Sequence, residues 1–231
     1  MRPSPTDPFR TTSLAMTFSH VATPTAMAKY LCLGLPRSGT SSLHHGVLAL
    51  GLRSVHHIAD PDTRRELERG RYRLSIFERT DLLIDEVAPV VFVQIAEAMP
   101  ELRFIYTFRD EDSWLASMAK LAHLHEVPRT GSFRYYSRLA MFGVTVFHES
   151  RLRQVWREHD ARVRDYFRGP RAERLLIMDI TGGDGFDKLC PFLGLPEPGL
   201  PFPHVNRDGS IRRSPASLGR RLRRRYLELL G

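Results

Sequence analysis

Residues 34–42, GLPRSGTSS, join a short apolar run, KYLCLGL, to a stretch that places Leu43, Val47, Leu48 and Leu50 at helical spacing and stops at Gly51. A buried strand that passes through a glycine turn straight into a helix is the first half of a βαβ unit, which demands a parallel partner strand. Gly34 and Gly39 permit a tight compound turn, and Ser38, Thr40, Ser41 and Ser42 offer hydroxyls. The helix start adds unpaired backbone N–H groups that carry partial positive charge. A glycine turn capped by a hydroxyl needs no ligand, but one that also holds Arg37 and three further hydroxyls is built to wrap a phosphate-like anion.

The rest of the chain supplies the partners. DLLIDEV, LRFIYTF and RLLIMDI read as further buried strands. Between them, FVQIAEAMPEL reads as a helix closed near Pro100, residues 112–125 as another, and residues 148–168 as a long charged helix with Leu152, Val155, Trp156, His159, Val163 and Phe167 on one face. GFDKLCPFLGL makes a short helix and EPGLPFPHVN a proline-rich loop. Alternating strands and helices imply an α/β fold, a P-loop-type parallel β-sheet flanked by helices on both faces. Residues 29–231 form a single domain that ends in a basic helix, SLGRRLRRRYLELL. That helix is a solvated face or a surface that attracts an anionic acceptor or membrane. Residues 1–28, with four prolines and little periodicity, read as a flexible leader. Their shortage of acids is shared with organelle transit peptides, and a start at Met16 or Met27 is the favoured alternative.

Against the nucleotide-triphosphatase pattern G-x-x-x-x-G-K-[ST], the position after Gly39 is Thr40, so the lysine is absent and the cation has moved to Arg37 inside the loop. A second motif lies in FIYTFRDEDSWLASM, where Arg109 ends a strand and Ser117 follows eight residues later in a helix. Ligands of open parallel sheets sit at the carboxyl ends of strands, so Arg109 shares an edge with the first loop. Its bland alternative is a salt bridge to Asp110 or Asp112. The chain carries a net charge of +8, with 31 arginines against only Lys29, Lys120 and Lys188. Arginine's planar fork suits phosphate and sulfate, although coding bias and a solvated surface give the same count. No RNA-recognition or helix-turn-helix signature is present, and no nucleic-acid partner is expected.

In combination these motifs resemble the sulfotransferase superfamily that uses 3′-phosphoadenylyl sulfate (PAPS), and within it the small sulfotransferases with RTGTTSL-type loops. The resemblance runs from Lys29 to Asn206 and includes the FLG helix and the FPxxN loop. It implies that Arg37, Ser38, Gly39, Thr40, Ser41 and Ser42 grip the 5′-phosphosulfate, that Arg109 and Ser117 bind the 3′-phosphate, and that Asn206 and Arg207 close over the nucleotide. The implied function is sulfuryl transfer to an acceptor hydroxyl or amine, the partner being a small molecule or a glycan, with no metal required. Alternatives are a P-loop kinase, which the missing lysine opposes, and a non-catalytic anion- or nucleotide-binding protein. The sequence departs from the pattern where Ser41 replaces a second threonine and Glu111 a proline.

An acceptor hydroxyl needs a base. Asp85 and Glu86, at the carboxyl end of the second recognisable strand, lie on the ligand edge; His57 and His56, after LRSV, offer imidazoles that titrate near neutrality. Asp85 and Glu86 also suit a helix start and the histidines a connecting loop, so the base stays open between these groups. Trp114 and Trp156 are expected to pack rather than stack on adenine, and the acceptor pocket to draw its walls from residues 55–80 and 123–150. Cys32 and Cys190, each in an apolar run, offer neither metal spacing nor a disulfide framework, which fits a reducing, cytoplasmic setting. No run reaches the eighteen or so apolar residues of a membrane span.

Overall fold

The computed structural model describes residues 28–56 and 60–205. Five parallel strands form one sheet: β1 (Tyr30–Cys32), β2 (Ser54–His56), β3 (Leu82–Ile84), β4 (Arg103–Thr107) and β5 (Leu175–Met178), in the order β2-β3-β1-β4-β5. The helices are α1 (Thr40–Ala49), α2 (Pro61–Glu68), α3 (Phe92–Ala98), α4 (Glu111–Ala119), α5 (Phe133–Phe142), α6 (Glu149–Tyr166) and α7 (Phe186–Leu193). The α/β architecture expected from the alternating pattern is the one observed.

Period-two alternation explains why the strands read as continuous apolar runs. Leu31, Leu33, Leu83, Phe104 and Tyr106 face one layer with Phe92, Ile95, Val163 and Phe167. Tyr30, Cys32, Leu82, Ile84 and Ile105 face the other, with Leu43, Val47 and Leu189. Both faces are covered, so no polar side is left to betray the strand in sequence. Cys32 and Cys190 are buried free thiols, as their apolar surroundings imply. At the opposite edge from the loops, the buried Asp81 carboxylate accepts from Lys29 at 2.8 Å and from Arg53 at 2.8 and 3.1 Å, tying together the starts of β1, β2 and β3.

β1 occupies the middle of the sheet, with Cys32 opposite Ile84 on β3 and Ile105 on β4. From β1 the chain moves to the edge strand β2, returns to place β3 between them, and then crosses β1 to add β4 and β5 on its other side. The crevice between the carboxyl ends of β1 and β4 is therefore the topological switch point, where ligands of such sheets bind.

Many of the arginines have structural work. Arg174 donates to the carbonyls of Ala96, Met99 and Leu102, Arg138 to those of Glu126 and Thr145, and Arg162 to that of Pro89. These forks satisfy carbonyls left open at helix ends and in loops, a use that the composition alone does not distinguish from anion binding.

Candidate functional site

The β1–α1 loop is shaped by three close approaches. Gly34 lies against β4, where an added Cβ would come within 1.7 Å of Thr107 Oγ1. Ser38 donates its hydroxyl to the Leu35 carbonyl at 2.7 Å and shares a second 2.7 Å hydrogen bond with Thr107, which must donate because the Ser38 proton is already engaged. Gly39, at φ 101°, turns the chain into α1. Arg37 is the one residue other than glycine with positive φ among those described, at 71°. A side chain held there costs on the order of 1–2 kcal/mol.

Side chains from α4 and α6 brace that geometry. Trp114 Nε1 donates to the Pro36 carbonyl at 2.7 Å, and Trp156 Nε1 to the Arg109 carbonyl at 3.0 Å. Both indoles pack, as expected, and each also fixes a site loop. His159 donates through Nε2 to the Leu33 carbonyl at 2.8 Å, just ahead of Gly34. Burial, outweighing that hydrogen bond, pulls the His159 pKa down to about 4, so the ring is neutral at physiological pH.

Arg37, Gly39, Thr40, Ser41, Ser42 and Arg109 line a largely polar cavity of about 430 Å³, with Thr181–Gly183 and His204–Val205 as its opposite wall. Arg109 donates to Ser113 at 2.9 Å and to the Arg37 carbonyl at 3.1 Å, while Arg37 donates to Ser117 at 2.9 Å. Neither guanidinium is ion-paired within the described residues. The salt bridges available to Arg109 are not made: Asp110 caps α4 by accepting from the Ser113 N–H, and Asp112 binds Arg153. Burial, and then the neighbouring Arg37 charge, lower the Arg109 pKa from that of ordinary arginine. Two adjacent cations, the open amides of α1 and no acid in its first turn form a cradle for a multiply charged anion.

The loop distributes its hydroxyls unequally. Thr40, Ser41 and Ser42 reach the cavity, Ser42 also accepting from the Val205 N–H at 3.0 Å. Ser38 is turned inward and fastens the loop, and Ser117 sits behind Arg37 rather than on the cavity wall. Thr181–Gly183, absent from the sequence reading, are folded by Asp179, which accepts from Thr181 Oγ1 and the Gly182 N–H at 2.9 and 2.7 Å. The double glycine that follows the end of β5 after three residues was the available signal.

Asp85 follows Ile84, the residue level with Cys32, and so stands beside the start of the loop. It lines not the polar cavity but a second one of about 400 Å³, whose walls come largely from α2 and α5. Its Oδ1 accepts from the N–H groups of Val87 and Ala88 at 2.7 and 2.9 Å. Burial nevertheless raises its pKa above the ordinary aspartate value, because desolvation outweighs those bonds. Glu86 is half-buried, with its charge felt by Arg138. His56 ends β2 stacked on His44, with ring centroids 5.4 Å apart. His57, Asn206, Arg207, the leader through residue 27 and the basic C-terminal helix lie outside the described residues.

Among the described residues no three His, Cys, Asp or Glu side chains gather as a metal site, and no helix is long and apolar enough to cross a membrane. No curated protein matches the chain. A family model does, described as the sulfotransferase domain and spanning residues 29–211. That span starts at β1, contains both arginine motifs and every wall of the polar cavity, and covers most of the sequence; the chain belongs to the sulfotransferase domain family.

Proposed function

We propose that this protein transfers the sulfuryl group of 3′-phosphoadenylyl sulfate to the hydroxyl or amine of a small-molecule or glycan acceptor. The observation that carries the reading is the pair of guanidiniums, Arg37 and Arg109, on one cavity with the N-terminus of α1 and without a carboxylate partner among the described residues. A donor with anionic groups at the 3′ and 5′ positions of its ribose needs more than one cation, and the ends of β1 and β4 provide one each.

The Gly39–Ser42 amides and Arg37 hold the 5′-phosphosulfate and neutralise charge on the leaving phosphate. Arg109 takes the 3′-phosphate, and Ser117 keeps Arg37 aimed by accepting its Nε–H. Asp85 is the acceptor's base. It sits at the loop side of β3, and burial makes its carboxylate a better proton acceptor than an exposed one. His57 is the competing candidate. The kinase reading lacks its lysine, since Thr40 opens α1 directly after Gly39.

The test is thermal stabilisation of the full chain by 3′,5′-adenosine bisphosphate, ATP and a random oligonucleotide, without and with magnesium. The bisphosphate should raise the melting temperature without magnesium and more than the other two. Preference for ATP with magnesium, or for the oligonucleotide, overturns the reading.

A further inference from the structure

We propose that a third cavity, walled by α5, α6 and Leu35 of the donor loop, binds an α-amino acid with an apolar side chain, and that its occupancy is coupled to the donor site; only the coupling rests on the sulfuryl-transfer reading above. Arg151, Val155, Glu158, His159 and Arg162 recur at helical spacing along one stripe of α6 and face a space of about 310 Å³. That volume is at the lower end of small-molecule pockets. Three of those five side chains are charged, whereas the remaining wall, from Leu35, Pro89–Val90 and Ala140–Met141, is apolar.

The polar groups of this stripe are incompletely matched within the protein. His159 is 6% exposed, and its Nε2 must carry the ring proton because the Leu33 carbonyl can only accept. Nδ1 is then a lone-pair acceptor without a partner among the described residues. No fully buried side-chain nitrogen or oxygen among them lacks a partner, so Nδ1 is reached from the cavity that the ring lines. Glu158 accepts from Gln154 Nε2 through Oε1 at 2.7 Å, but its Oε2 stands 3.8 Å from Arg151 Nη1, beyond hydrogen-bond reach. Arg162 donates to the Pro89 carbonyl at 2.7 Å, and Arg151 through Nε to that of Phe142 at 2.8 Å; Arg162 has no carboxylate partner among the described residues. An α-amino acid answers each group: its carboxylate meets the guanidiniums, its ammonium meets Glu158 Oε2 and His159 Nδ1, and its side chain lies on Leu35, Val90 and Met141. Glu158 and Arg162 are one turn apart, about 6 Å along the helix axis, so a single α-carbon can present both charged groups to them. A simple carboxylate would leave the acceptors unmatched, and a simple amine the guanidiniums.

The coupling follows from shared residues. Leu35 belongs to the donor loop and His159 holds the Leu33 carbonyl, so one arrangement of residues 33–40 forms this wall and the donor cradle together. A ligand that binds that arrangement favours it, and each ligand then tightens the other by the same factor.

The experiment is calorimetric titration of the full chain with L-leucine, with 4-methylpentanoate, which lacks the amine, and with 3-methylbutylamine, which lacks the carboxylate. The expected result is one saturable leucine site, with each analogue weaker by at least about tenfold. Glu158→Gln and, separately, Arg162→Gln should weaken leucine binding by about tenfold or more, with cooperative thermal melting to show that each variant is folded. The Glu158 side chain is 57% exposed, so Glu158→Gln keeps the test decisive even if Arg162→Gln does not fold. Saturating leucine should tighten 3′,5′-adenosine bisphosphate binding by at least about fivefold. Absence of saturable leucine binding, an analogue that binds as tightly as leucine, or normal leucine affinity in Glu158→Gln overturns the site. Leucine binding with unchanged bisphosphate affinity overturns the coupling alone. Leucine binding by a protein that does not bind the bisphosphate overturns the donor reading, and with it the coupling, but not the site.

Discussion

At the scale of single residues, Arg37 joins an unfavourable backbone to a charged side chain, and the two effects can be separated. Arg37→Gly and Arg37→Ala both remove the guanidinium, and each should lower transfer on the order of a hundredfold or more, the usual effect of losing one preorganised electrostatic donor. Only glycine relieves the positive φ of 71°. Chemical denaturation should therefore find Arg37→Gly more stable than Arg37→Ala by about 1 kcal/mol; equal stabilities would show that the loop rearranges. Asp85 makes a second test. As a base it must be ionised, and burial raises its pKa, so the acid limb of kcat/KM should lie above the ordinary aspartate range and activity should fall as pH drops through it. Asp85→Asn should cost about 10² to 10⁴ in single-turnover rate, with bisphosphate affinity preserved. A full rate in Asp85→Asn would transfer the role to His57.

Between elements, α6 governs the donor loop through the hydrogen bond from His159 to Leu33. The folded-state pKa of His159, about 4, lies below the unfolded value near 6.5, so the folded protein resists a proton that the unfolded chain accepts. This contribution is fully present above pH 6.5 and is lost as pH falls toward 4, on the order of 2–3 kcal/mol in all. His159→Gln keeps an N–H donor without titrating. Its unfolding free energy should change less than that of the wild type between pH 6.5 and 4, and parallel curves would contradict the assignment. The same elements show what sequence could and could not reveal. β1, α1, β4 and α6 were legible because each buries a periodic or continuous apolar set. α2 buries only Thr63 and so lacks that period, although its Asp60 cap and Pro61 start were readable. β2 is a half-buried three-residue edge strand that LRSVHH presents as a connection. α5 was marked only by Ser132 and Gly143 at its ends. At the site, the phosphate-loop residues and Arg109 could be read from motifs. The inward turn of Ser38 could not, because its partner Thr107 lies 69 residues away.

For the molecule as a whole, sheet order brings the two arginine motifs together. β1 and β4 are adjacent because the chain, after placing β2 at the edge and β3 beside β1, crosses to the other side of β1, and Arg37 and Arg109 share the crevice between those two strands. Asp85, directly after β3, lines a second cavity rather than the polar one. The central claim is that the paired cations recognise a nucleotide bearing phosphates at both the 3′ and 5′ positions. Its most direct test is calorimetric titration of wild type and Arg109→Ala with 3′,5′-adenosine bisphosphate and with adenosine 5′-monophosphate. A charged hydrogen bond contributes roughly 1.5–3 kcal/mol. The wild type should therefore favour the bisphosphate by roughly tenfold to over a hundredfold, and Arg109→Ala should lose most of that preference while still binding the monophosphate. Equal affinity of the wild type for both nucleotides, or an undiminished preference in the variant, would contradict it.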